Sequence, residues 1–142
     1  MTGLTNEGTT TAGPVGAAVA PLPVGPLAPQ VSVVIPLFNE EDNVEPLLRG
    51  VREALSPLGR AYEVVVVDDG STDRSLERLR AEAERDPRLR VLRFRKNRGQ
   101  SAAFAAGLDA ARGDVVVTMD ADLQNDPADI PALLEKIPEF DA

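Results

Sequence analysis

The chain has 142 residues, room for one domain, and its 43% hydrophobic and 27% charged content is ordinary for a globular protein. It holds neither cysteine nor histidine, which excludes disulfides, thiolate metal sites and imidazole acid–base chemistry. The formal net charge of −8 argues against a nucleic-acid binder.

Met1–Pro29 is rich in Thr, Gly, Ala and Pro. Its five prolines from Pro14 to Pro29 forbid a helix, so an extended or disordered arm is expected outside the domain. The first basic residue is Arg49 and prolines interrupt the apolar stretch, so the arm does not read as a signal peptide. No apolar run approaches the roughly 20 residues that span a bilayer. A soluble, cytoplasmic protein with its domain over residues 30–142 is the expectation.

Val31–Pro36 is a nearly continuous β-branched run, the pattern of a strand buried on both faces. After the loop Leu37–Asp42, the apolar residues Val44, Leu47, Leu48, Val51 and Leu55 recur at helical spacing, and Pro57 and Gly59 close that helix. Tyr62–Val67 reads as a second strand ending at Asp68-Asp69-Gly70-Ser71. Asp73 can cap the next helix, with Leu76, Leu79 and Ala83 facing inward, until Asp86-Pro87 stops it. Arg90–Phe94 is a third strand and Gln100–Ala111 an alanine-rich helix ended by Gly113. Asp114–Met119 forms the fourth strand, and Pro127–Ile137 the fourth helix.

The order β-α-β-α-β-α-β-α predicts an α/β fold: a Rossmann-like parallel sheet with right-handed crossovers and helices on both faces. Such sheets bind ligands beyond the carboxyl ends of their strands, near the point where strand order reverses. Every polar motif falls on that edge.

Asp120, Asp122 and Gln124 follow the fourth strand at i, i+2 and i+4. On an extended tip those positions point the same way, so three oxygen side chains could share one hard cation such as Mg²⁺. The alternative is an exposed acidic turn whose Asp126 caps the next helix. Asp68 and Asp69 end a run of four valines, where a carboxylate can accept from a base or from ribose hydroxyls, although Asp-Gly-Ser is also a common turn. Pro36–Glu40 either ends a strand, with Asn39 or Asp42 capping a helix, or places Pro36 and Phe38 against a nucleobase with Glu40 nearby. Lys96–Gln100 sets a cationic loop, including Arg98, before a helix N-terminus. There it is either a phosphate neighbour or a solvated basic loop. From Arg74 to Arg98, ten Lys/Arg stand against four Asp/Glu. That segment is either a solvated face or a peripheral contact with anionic lipid at the inner face of the plasma membrane.

The strings V-S-V-V-I-P-L-F-N-E-E, E-V-V-V-V-D-D-G-S-T-D, N-R-G-Q-S-A-A and D-A-D-L-Q-N-D-P resemble glycosyltransferase family 2. Within it, D-A-D-L-Q followed by proline is most similar to the dolichol- and polyprenyl-phosphate sugar transferases. The resemblance implies a GT-A fold whose first half binds a UDP- or GDP-linked sugar. Pro36, Phe38, Asn39 and Glu40 would line the nucleotide pocket, and Asp69 with Asp68 would hold the base. Asp120 and Asp122 would bind Mg²⁺ or Mn²⁺ on the diphosphate, with Gln124 as a further ligand. The reaction implied is inverting transfer of a hexose to a polyprenyl phosphate. A lipid phosphate is already anionic and attacks without a general base, whereas a sugar hydroxyl acceptor would need one. Two alternatives are a family member acting on a sugar hydroxyl and a non-catalytic nucleotide-binding fragment. A metal-dependent nucleotidyltransferase should carry Gly and Lys just after the first strand, and Leu37–Asp42 has neither. Family members continue into a second half, and Phe140-Asp141-Ala142 reads as the start of a further strand, so an N-terminal fragment is expected.

Overall fold

A computed structural model of the chain describes residues 4–7, 28–122 and 126–137. The five strands β1 (Leu4–Glu7), β2 (Val31–Leu37), β3 (Tyr62–Asp68), β4 (Leu89–Phe94) and β5 (Val115–Thr118) form one sheet in the order β1-β4-β3-β2-β5. The pairs β2–β3, β3–β4 and β2–β5 are parallel, which makes the four-stranded parallel sheet that the alternating pattern predicts. The chain moves outward from β2 to β4, then returns to place β5 on the other side of β2. The strand order therefore reverses between β2 and β5.

The helices α1 (Val44–Leu55), α2 (Ser75–Arg85), α3 (Gln100–Ala110) and α4 (Ile130–Leu134) cover both faces. The buried stripe of α1 is Val44, Leu47, Leu48, Val51 and Leu55, the spacing read from the sequence. Each such side chain contributes roughly 1.5–3 kcal/mol of burial. It packs with Leu79 of α2 and Ile130 and Leu134 of α4 against Val33, Ile35, Val64, Val66 and Val91. The opposite face of the same strands, Val34, Val65, Val67, Leu92 and Phe94, lies under α3. A Cβ on Gly107 would sit 2.3 Å from Val34 Cγ1, so glycine is what lets α3 approach the sheet this closely.

Three details differ from the sequence pattern. The arm expected outside the domain contributes β1, paired antiparallel with β4 from Leu4↔Phe94 to Glu7↔Val91. A four-residue edge strand needs only backbone partners and carries no periodicity of its own. Residues 8–27 of that arm, and the strand start expected at Phe140–Ala142, lie outside the described residues. The expected helix Pro127–Ile137 is broken into a 3-10 turn, Pro127–Asp129, followed by α4. Pro131 has no N–H and fits only the first turn of a helix, so the α-helical ladder restarts there. Finally, β5 is only partly covered, with Val116 37% exposed, whereas β2 and β3 are buried throughout.

Candidate functional site

The carboxyl ends of the four parallel strands enclose a cleft of about 330 Å³ at the reversal point. Pro36, Phe38 and Glu40 enter it from β2, Asp69 from β3, Asn97 and Gln100 from the loop after β4, and Asp120 and Asp122 from beyond β5. Phe38 is 42% exposed, an apolar ring left open on the cleft wall. Gln124 lies outside the described residues.

The loop after β2 is fastened to the loop after β3. Asn39 adopts φ 52°, in the left-handed region that asparagine tolerates better than most residues. Its Oδ1 accepts from the backbone N–H groups of Thr72 (2.8 Å) and Asp73 (3.2 Å), while its own N–H donates to Ser71 Oγ (2.8 Å). The Glu40 N–H donates to Ser75 Oγ at 2.9 Å. Asn39 thus joins two loops and does not line the cleft, unlike its neighbours Phe38 and Glu40.

The two aspartates ending β3 diverge. Asp69 lines the cleft but is 3% exposed, because the loop after β4 folds onto it. Its Oδ1 accepts from the Arg98 N–H at 2.7 Å, and its Oδ2 accepts from the Gly99 N–H and Asn97 Nδ2, each at 3.0 Å. Gly70 makes room for this bracket: it has φ 73°, and a Cβ there would lie 2.3 Å from the Lys96 carbonyl carbon. Asp68 is turned inward, 1% exposed and absent from the cleft lining. Its Oδ1 has no hydrogen-bond partner among the described residues. Burial pushes its carboxyl above the ordinary value, with hydrogen bonds from Ser71 opposing that, the nearby Asp73 charge adding to it and Arg93 opposing it.

Of the loop K-N-R-G-Q, the sequence points to Arg98 as the phosphate neighbour. Its guanidinium instead sits over the Phe94 ring, 5.3 Å from the centroid, and its backbone N–H serves Asp69. Asn97 and Gln100 are the side chains that reach the cleft. Charge drew attention to Arg98, whereas an uncharged amide beside a positive-φ glycine gave a weaker signal. Gln100 Nε2 donates to Asp120 Oδ1 at 2.7 Å.

The cleft lining holds four carboxylates, Glu40, Asp69, Asp120 and Asp122, and no Lys or Arg among the described residues. The Asp69 charge is largely taken up by N–H donors; Asp120 and Asp122 present hard oxygen atoms at the open end. Among the described residues no group of three or more acidic side chains forms a complete metal cage. Two carboxylates nevertheless suit Mg²⁺ or Mn²⁺, which take their remaining ligands from water and substrate phosphates. Without a cation, an entering diphosphate would meet like charge.

Away from the cleft, the basic stretch Arg74–Arg98 is partly spent on ion pairs: Arg74–Glu77, Arg78–Asp42, Arg85–Glu82, Arg88–Asp86 and Arg90–Glu63. Arg95, Lys96 and Arg98 remain exposed at the end of β4. Among the described residues no helix is long and apolar enough to cross a membrane.

A parallel α/β sheet of this kind takes its ligand beyond the carboxyl ends of the strands, at the point where strand order reverses, which is where this cleft lies. Residues 32–142 match the profile of Glycosyl transferase family 2, and the chain belongs to that family. It is 54% identical over 107 residues to an undecaprenyl-phosphate 4-deoxy-4-formamido-L-arabinose transferase of Pseudomonas aeruginosa (strain LESB58), covering 75% of this chain and 32% of that protein. It is 44% identical over 109 residues to a dodecaprenyl-phosphate galacturonate synthase of Rhizobium johnstonii, covering 76% of this chain and 32% of that protein. The mannosyltransferase PcManGT from Pyrobaculum calidifontis, solved in complex with GDP-Man and Mn²⁺, superposes with a TM-score of 0.60 at 36% identity. That superposition covers 68% of this chain and 28% of PcManGT, and the fold is GT-A-like. The chain thus spans about a third of the length of the curated relatives it matches.

Proposed function

We propose that this chain is the donor-binding part of a glycosyltransferase that moves a hexose from a UDP- or GDP-linked sugar to a polyprenyl phosphate. The observation that carries the proposal is the cleft at the strand-order reversal, lined by Asp120 and Asp122 and by no cationic side chain. The similarity to transferases named for undecaprenyl and dodecaprenyl phosphate supports the lipid acceptor over a sugar hydroxyl.

Each residue has a role on this reading. Pro36 and Phe38 form an apolar wall for the base. Asp69 Oδ1, with one N–H on it, retains an acceptor position for a base imino group. Asp120 and Asp122, with Gln124, hold the cation; when bound, Mg²⁺ or Mn²⁺ neutralises charge building on the nucleoside diphosphate leaving group. The acceptor phosphate is already anionic and attacks the anomeric carbon from the face opposite the diphosphate, which inverts the centre. No base is needed, in keeping with a chain that lacks histidine. The exposed Arg95, Lys96 and Arg98 offer a weak attraction to anionic lipid at the inner membrane face.

Thermal unfolding with UDP- and GDP-sugars, each with and without Mg²⁺ or Mn²⁺, tests this. One nucleotide series should raise the Tm only when the cation is present, and Asp122→Ala should abolish that rise. A nucleotide-induced rise independent of the cation, or retained in Asp122→Ala, would falsify the cation role of Asp122.

A further inference from the structure

Gln100 is the first residue of α3, and Gly99 before it has φ 103°. It is exposed, so the fold gains little from its amide. Yet that amide crosses from the loop after β4 to the tip beyond β5, where it donates to Asp120 Oδ1 at 2.7 Å. The loop behind it does not choose its own position. Three N–H donors of Asn97, Arg98 and Gly99 converge on the Asp69 carboxylate, and Asp69 is itself tied to β2 through its N–H on Leu37 O at 2.8 Å.

We propose that Gln100 is a positioning residue for the cation clamp: its amide fixes the plane of the Asp120 carboxylate, and Asp69 sets Gln100 through the loop 97–99. The inference rests on the cation role given above to Asp120 and Asp122. A carboxylate on a short tip rotates about two bonds, and each rotation moves its oxygens relative to the second ligand, Asp122. A neutral donor on one oxygen restricts that freedom without cancelling the charge the cation needs. Groups that orient a metal ligand in this way typically change metal affinity 10–100-fold when removed.

The test uses the whole 142-residue chain, with Mn²⁺ as the probe in the presence of UDP or GDP. Mn²⁺ binding is read by the loss of its free-ion electron paramagnetic resonance signal, and metal-free stability by the Tm. Gln100→Met keeps the length of the side chain and removes its donor; Gln100→Ala removes both. Both variants should weaken Mn²⁺ binding about tenfold or more while the metal-free Tm stays at the wild-type value. Wild-type affinity in both variants overturns the proposal. So does a loss of affinity matched by a fall in metal-free Tm, since that marks a role in the fold. If the wild-type chain binds no Mn²⁺ with either nucleotide, the cation clamp itself fails and takes this inference with it. If wild type binds and the Gln100 variants bind equally well, only the role of Gln100 fails.

Discussion

Replacing Asp69 by asparagine tests the bracket at the centre of the site with a change of one atom. The carboxylate accepts three N–H bonds, one on Oδ1 and two on Oδ2. An asparagine amide has one acceptor oxygen. In its better orientation that oxygen takes the Oδ2 position, and the NH₂ then faces the Arg98 N–H across the 2.7 Å now spanned by a hydrogen bond. Losing that bond to a charged acceptor in a buried setting costs about 1.5–3 kcal/mol. The other two fall to roughly half strength once the acceptor is neutral, for a total of about 3–6 kcal/mol. For a domain of this size that is on the order of 10 °C in Tm. Amide exchange supplies a local readout, because the Arg98 and Gly99 N–H groups precede α3 and owe their protection to Asp69. Both should exchange faster in Asp69→Asn, by more than the rest of β4 and α3. A Tm within about 2 °C of wild type, with both amides still protected, would refute the bracket.

Two further substitutions read the pH dependence of buried carboxylates with opposite signs. Burial alone would raise Glu63, but the Ser32 hydroxyl at 2.6 Å, the Arg112 N–H at 2.7 Å and Arg90 at 2.9 Å hold it below its ordinary 4.5. Its stabilisation is therefore full above pH 4.5 and is lost as pH falls from there through the depressed folded value; Glu63→Gln should lower the Tm at pH 7 and flatten that acid limb, and an unchanged slope would count against it. For Asp68 the folded value is raised above 3.8, so the folded state loses stability as pH rises through that window. The Tm difference between Asp68→Asn and wild type should accordingly be more favourable at pH 7 than below pH 3.8, and equal differences at the two pH values would contradict the burial account.

Strand and helix order was legible because β2 and β3 are buried on both faces and so read as unbroken β-branched runs, while the apolar stripe of α1 repeats at helical spacing. The placement of Phe38, Glu40, Asp69, Asp120 and Asp122 on one edge was legible for the same reason: the topology puts every strand end there. What the pattern could not supply was direction within each tip. Asp68 and Asp69 are adjacent and identical, yet one turns into the core and the other toward the loop after β4. That choice depends on partners far along the chain, Asn97 to Gly99, which only the folded sheet brings near. The placement of Asn39 and Arg98 was not legible for a related reason. Their positions suit a ligand, but Asn39 has closer N–H donors in the next loop and Arg98 has the Phe94 ring beneath it.

The bracket also bears on how such a domain can be altered. Each strand tip is a short insertion on a separate βα unit, so swapping one tip for another ought to change recognition while the valine core stays untouched. Asp69 removes that independence for two of them. The turn after β3 carries the acceptor, Gly70 clears the space, and the loop after β4 carries the donors. A graft of either alone would strand buried polar groups without partners, and the tip of β2 is fastened to the same turn where Asn39 Oδ1 accepts from the Thr72 and Asp73 N–H groups. Diversification or loop grafting on this scaffold therefore has to treat residues 68–71 and 96–100 as a single cassette.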